Sequence, residues 1–208
     1  STLSIHFITA VGIFMIFTLL LLTFRQPTKK ARQKMIAFLI LLSASICFWA
    51  LSLLAPMGLT LFIERNVMRH MLGIVVPPQW YNSVNTIIII ISGPILALIF
   101  QRLRQRGYLI TIPVQFTVAL FLIGFAFILL PIGIQLAGPH GYVNTGWIVV
   151  TYALQGLGEV FIQPIGLAMI GQIAPVRLQG IMMGTWMMVT GIAAIVAGHI
   201  SKWMLGAD

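Results

Sequence analysis

Glu159 has the most chemistry to offer of any residue in this sequence. It is one of three acids in 208 residues, and it alone lies inside a long apolar stretch. A carboxylate at mid-membrane depth costs about 2.5–3.5 kcal/mol on insertion scales, so an acid placed there marks a functional site by default. Helical spacing puts Gln155 one turn before it, Gln163 one turn after, and Tyr152 about two turns before. One polar stripe thus runs along an otherwise apolar helix. A carboxyl group short of water exchanges its charge with whatever reaches it, so a cation or a proton would set its state. No Lys or Arg stands in the middle of an apolar segment to neutralise it. A structural acid, bonded to a hydroxyl or a backbone group in a helix bundle, is the competing reading and stays open at this point.

Other candidates are weaker. Gly156, Gly158, Pro164, Gly166 and Gly171 fall in the same stretch as Glu159. Pro164 removes a backbone hydrogen bond, and such a kink suits either a gating helix or close packing. Gly180 and Gly184 have GxxxG spacing, with Gly191 and Gly198 at further steps of seven, which predicts a packing face. Asn82 and Asn85 precede the run Ile87–Ile91 and could bond a neighbouring helix or a ligand. His199 is expected at a membrane interface, as are Trp80 and Trp203. His6, His70 and His140 show no metal-ligand spacing. The single cysteine, Cys47, excludes a disulfide within the chain. No phosphate-binding glycine loop, HExxH or nucleophile elbow occurs. No cofactor is expected.

The elements that must hold these residues are membrane helices. Apolar residues make up 60% of the chain and charged residues 7%, against roughly 45–50% and 25% in soluble domains. Mean hydropathy is +1.05. A soluble enzyme, a secreted disulfide scaffold and a disordered chain are excluded. Six apolar segments are expected at about 4–24, 35–63, 84–101, 109–137, 147–173 and 178–204. The gaps carry the breakers, among them Gln26-Pro27-Thr28, Val76-Pro77-Pro78, Gly138-Pro139-His140-Gly141 and Ala174-Pro175. The second and fourth segments are longer than a bilayer core, which predicts tilt or protrusion.

Charge fixes the expected orientation. Arg25, Lys29, Lys30, Arg32 and Lys34 fill the first gap, Arg102, Arg104 and Arg106 the third, and Arg177 the fifth. Nine of the twelve basic residues therefore fall on one side, which the positive-inside rule makes cytoplasmic. Both termini are then expected outside. The net charge of +9 resides in these gaps and not in a basic stripe interleaved with aromatics, so no nucleic-acid partner is expected. No signal peptide is expected, and a chain that begins with Ser is expected to be a fragment.

A set of motifs adds a resemblance. Lys34-Met35-Ile36, Arg65-Asn66-Val67, Tyr81-Asn82-Ser83-Val84-Asn85 and Ser92-Gly93-Pro94-Ile95-Leu96-Ala97 follow one another. Then come Tyr152-Ala153-Leu154-Gln155-Gly156-Leu157-Gly158-Glu159, Gly166-Leu167-Ala168-Met169, Ala174-Pro175-Val176-Arg177 and Met183-Gly184-Thr185-Trp186. Over about residues 27 to 204 the chain resembles the C-terminal half of a proton-dependent oligopeptide transporter, of the bacterial di- and tripeptide permease kind.

The resemblance implies an all-α membrane protein with a partial major-facilitator fold. Residues 1–26 would be an accessory linker helix between the family's two halves. Residues 27–208 would be an incomplete C-terminal six-helix bundle, with helices seven to eleven present and the twelfth absent. The implied function is the C-terminal fragment of a proton-coupled di-/tripeptide symporter that does not transport alone. Its implied partners are membrane lipid, peptides, protons and a separate N-terminal half, and its implied location is the bacterial inner membrane. Glu159 matches a cavity Glu that meets the peptide amino terminus and takes part in gating, and it is also the candidate proton-coupling group here. Trp186, Thr190 and Asn85 match pocket positions, with Gln155 and Gln163 flanking Glu159. The sequence departs from the family at Thr86, which replaces a Pro. It departs again where the seventh helix usually carries Tyr, an acid or amide pair and Ser, and this chain reads Ser52, Leu53, Leu54 and Gly58; Ala44 stands where an acid is usual. The family's ExxER motif belongs to the other half. These departures leave a second reading, a degenerate or structural helical module without transport activity.

Overall fold

The computed structural model describes residues 2–67, 70–71, 74–137 and 142–205. Arg69 and the breaker Gly138-Pro139-His140-Gly141 lie outside the described residues. Hydrocarbon offers the backbone no hydrogen-bond partners, so a chain this apolar satisfies its amides within helices. Among the described residues, six helical spans are long and apolar enough to cross a membrane. In chain order the elements are α1 (Thr2–Phe24), α2 (Lys29–Leu54), a π-helical turn (Ala55–Leu59) and α3 (Thr60–Asn66). Then come strands β1 (His70–Met71) and β2 (Ile74–Val75), α4 (Pro78–Gln105), α5 (Ile112–Gln135) and α6 (Thr145–Ile173). A 3-10 turn (Val176–Leu178) leads into α7 (Gln179–Leu205). The two strands form a minimal antiparallel pair in the connection between α3 and α4.

The helices run past the apolar segments because backbone bonding does not stop where the hydrocarbon does. Thr28 caps α2 by accepting the Ala31 N–H at 3.3 Å, so the polar stretch from Lys29 to Lys34 is helical. Pro78 begins α4 in the position where its lost N–H is harmless, which puts Asn82 and Asn85 inside the helix. The fourth span is shorter than expected. Pro113 sits in its first turn and Leu136 ends it, so 24 residues cover about 36 Å, close to a bilayer core.

The second span does overrun the bilayer, with 38 residues from Lys29 to Asn66. It is interrupted at Pro56, which has no N–H to continue the ladder. The Ala55 N–H turns back to the Ser52 carbonyl, and five residues pass in a wide π turn. Neighbouring helices bond to this turn. The Tyr152 hydroxyl donates to the Ala55 carbonyl at 3.4 Å, and the Ser201 hydroxyl to the Met57 carbonyl at 3.2 Å.

Helix α6 packs against α5, α4, α2 and α7, and α7 lies against α2 and α1. Two apolar cores result. One, toward the basic gaps, centres on Phe38, Phe48, Phe116, Ile162, Met169 and Met182. The other, toward the opposite end, centres on Leu59, Ile63, Tyr81, Ile148 and Tyr152. The opposite end is also tied by the chain itself, where the Val143 N–H donates to the Asn66 carbonyl at 2.8 Å and Val67 bridges Val143. Between the two cores lies the level of Ser52, Asn85 and Glu159.

Candidate functional site

Helix α6 reaches that level stripped of side-chain bulk. A Cβ at Gly156 would stand 2.8 Å from the Asn85 carbonyl oxygen of α4. A Cβ at Gly158 would stand 3.1 Å from the Phe48 ring of α2 and 3.3 Å from the Ala119 carbonyl of α5. The two glycines therefore bring α6 into contact with three neighbours at once, one turn or less from Glu159. At this level glycine serves close approach.

The Glu159 carboxylate points to α2 and α4. Its Oε1 accepts the Ser52 hydroxyl and, at 3.3 Å, the Asn85 amide Nδ2. Ser52 is buried, while Asn85 and Glu159 are half-buried. Both hydrogen bonds fall on Oε1, and Oε2 has no protein partner among the described residues. Glu159 also forms no ion pair among those residues. The arrangement holds a carboxyl group by one oxygen.

The stripe on α6 passes from core to groove. Tyr152 and Gln155 are each 1% exposed, Glu159 is half-buried, and Gln163 is exposed. The spacing keeps all four on nearly one face. Beyond the contact of Gly156 with Asn85, α4 and α6 enclose a groove of about 450 Å³ lined by Gly93, Ala97, Val160, Gln163 and Pro164, and they meet again where the Phe100 and Phe161 rings stand edge-on at 5.9 Å. Gln155 Nε2 is buried without a hydrogen-bond partner among the described residues, as is the Ser45 hydroxyl.

Among the described residues, α7 contributes no bond to Glu159. The Trp186 indole lies over Gly166, where a Cβ would come within 2.0 Å of the ring, and meets the Phe116 ring edge-on at 6.4 Å. Gly166 is two turns from Glu159, about 10 Å along the axis. Thr190 is exposed and its hydroxyl donates to the Met187 carbonyl at 3.2 Å. The structure thus joins Glu159 with Asn85 and keeps Trp186 and Thr190 apart from them. The residue that sequence reasoning set aside is Ser52. Ser52 follows the buried Ser45 by two turns, and a serine at that spacing reads as helix packing; only the pairing of α2 with α6 gives it a role.

A family model described as the POT family matches residues 2–207. The chain belongs to the POT family. Among curated relatives, this POT-family chain is 39% identical over 195 residues to the dipeptide and tripeptide permease A of Erwinia pyrifoliae, covering 94% of this chain and 38% of that protein. It is 37% identical over 178 residues to the permease of the same name from Escherichia coli, covering 86% and 35%. The chain thus spans less than two-fifths of the relatives' length. A crystal structure of a peptide transporter POT variant in complex with alafosfalin matches 95% of this chain and 41% of that one, with 29% identity and a TM-score of 0.82. A POT family transporter in complex with 5-aminolevulinic acid matches in fold, with a TM-score of 0.85 at 18% identity. The fold is a partial major-facilitator fold of six apolar helices, and the protein is an integral, polytopic membrane protein of a family of peptide transporters.

Proposed function

We propose that this chain is the C-terminal part of a proton-coupled di- and tripeptide symporter of the bacterial inner membrane. The single observation that carries the reading is the half-held carboxylate. Ser52 and Asn85 fix Glu159 Oε1, and Oε2 has no protein partner among the described residues, one residue before Val160 in the wall of the groove between α4 and α6. A peptide amino terminus is a cation with N–H donors, and a fixed, partly dehydrated carboxylate is the complement it needs. A proton is the alternative occupant of the same oxygen, which is how Glu159 would couple the two. Gln163 faces the groove and is the next polar group a bound peptide would meet. Trp186 and Thr190 are retained as pocket residues on family resemblance, and Gln155 on its place one turn from Glu159 in the polar stripe.

In this reading residues 1–26 form the accessory linker helix, and residues 27–208 the C-terminal bundle without its last helix. Transport by alternating access needs two bundles rocking about a shared site, so this chain alone does not transport. The test is proton-driven dipeptide uptake into liposomes, with this chain alone and with a separately expressed N-terminal half of a relative. No uptake alone and recovery on reassembly are expected. Saturable uptake by the chain alone would overturn the need for a second half. A folded reassembly that ignores peptides would overturn the substrate.

A further inference from the structure

The polar stripe of α6 drifts around the helix as it advances. Each residue adds about 100°, so a step of four residues adds about 40°. Gly156 meets Asn85 of α4, and Gly158 meets Phe48 of α2. Measured from those two contacts, Gln163 looks toward α4, Gln155 toward α2, and Glu159 stands between them. Gln163 accordingly lines the groove against α4. Gln155 lies on the other side of Glu159, where its neighbours in the stripe both bond α2: Tyr152 at the Ala55 carbonyl and Glu159 at the Ser52 hydroxyl.

Gln155 is 1% exposed, and its Nε2 has no hydrogen-bond partner among the described residues. An amide left dry and unpaired is costly, and buried polar atoms in folded proteins pair with protein or with ordered water. The burial is complete within this chain, so a helix packed on from outside does not reach the amide. Its partner is a group small enough to be enclosed with it. One turn along, Glu159 Oε2 also has no protein partner among the described residues. Side chains four residues apart on a helix start about 5–6 Å from each other, a gap that one water spans.

We propose that Gln155 holds one ordered water against Glu159 Oε2 and is thereby a positioning residue for the carboxyl group. The water accepts from the amide Nε2 and donates to Oε2. A water both donates and accepts, so the bridge forms whichever end the amide presents and whether Glu159 is charged or neutral. Ser52 and Asn85 then hold one carboxyl oxygen directly, and the water steadies the other from the side of α2. Gln155 touches no ligand in this role. Its effect on peptide uptake rests on the symporter reading above, whereas the water is observable in this chain alone.

The test is infrared difference spectroscopy of the whole chain in lipid, between acid and neutral pH, in ordinary and in heavy-oxygen water. The carboxyl signal of Glu159 is assigned by its loss in Glu159→Gln. An O–H stretching band that shifts in heavy-oxygen water is expected to accompany that signal. Gln155→Met matches the side chain in length and has no amide; it is expected to keep the Glu159 signal and lose the water band. Unchanged helicity by circular dichroism controls for folding. No isotope-sensitive band in the wild type, or the same band in Gln155→Met, overturns the water. In a reassembled transporter, Gln155→Met is expected to raise the KM for a dipeptide about fivefold with little change in maximal rate. An unchanged KM with the water band lost overturns the positioning role. A reassembly that takes up no peptide at all sinks the symporter reading and leaves the infrared result standing.

Discussion

The Ser52 hydroxyl on α2 donates to Glu159 Oε1 on α6, two residues 107 positions apart in the sequence. This bond crosses the level between the two apolar cores, and a hydrogen bond to a charged group contributes about 1.5–3 kcal/mol. Ser52→Ala is expected to lower peptide uptake by a reassembled transporter about tenfold, read as a rise in KM, while Ser52→Thr keeps the hydroxyl and most of the uptake. An alanine variant with wild-type KM would remove Ser52 from the site.

Glu159→Gln separates charge from shape. An amide accepts the Ser52 and Asn85 hydrogen bonds as a carboxylate does, so thermal unfolding of the chain in detergent should shift little. Uptake of dipeptides by the reassembled transporter should fall at least a hundredfold, because an amide cannot neutralise an amino terminus. Unimpaired uptake by the Gln variant would show that the peptide amine is met elsewhere.

Gly166 should not tolerate a side chain. A methyl group there overlaps the Trp186 indole, and overpacking of this kind costs about 1–3 kcal/mol. Gly166→Ala should lower the melting temperature clearly, and adding it to Trp186→Ala should cost little more than Trp186→Ala alone, since the two changes share one space. Strictly additive losses in the double variant would mean that the indole is not what Gly166 accommodates.

Orientation is open to chemical labelling. In a Cys47→Ala background, Tyr142→Cys should react with an impermeant thiol reagent in intact cells, and Thr28→Cys should be protected. Both side chains are exposed at helix ends. The reverse pattern would invert the assignment drawn from the nine basic residues.

The six spans were legible because each is a long apolar run and the bilayer fixes the length needed. Glu159 was legible because its cost in hydrocarbon makes it conspicuous, and Asn85 because an amide beside an isoleucine run invites the same question. Ser52 was not legible, since its role depends on which two helices pair and at what offset. The positions of Leu54 and Gly58 read as lost polar groups, yet both are buried in the packing: Leu54 is 2% exposed, and a Cβ at Gly58 would stand 3.3 Å from the Ser201 hydroxyl oxygen. The groove between α4 and α6 beyond Asn85 was equally out of reach, because periodicity places residues on a face and says nothing of how closely the neighbouring helix covers that face.

The wide turn at Ala55–Leu59 sets the angular phase of everything beyond it. An α-helix advances about 100° per residue, so one residue more or fewer there would swing Ile63 and Val67 out of their core while Ser52 stayed on Glu159. The long span is thereby two rods clocked separately. The lower one answers to the carboxylate. The upper one answers to Tyr81, Ile148 and the strap at Val143. A length change between them would be heard at one end only, and relatives that differ by a residue in this helix are expected to place the difference here.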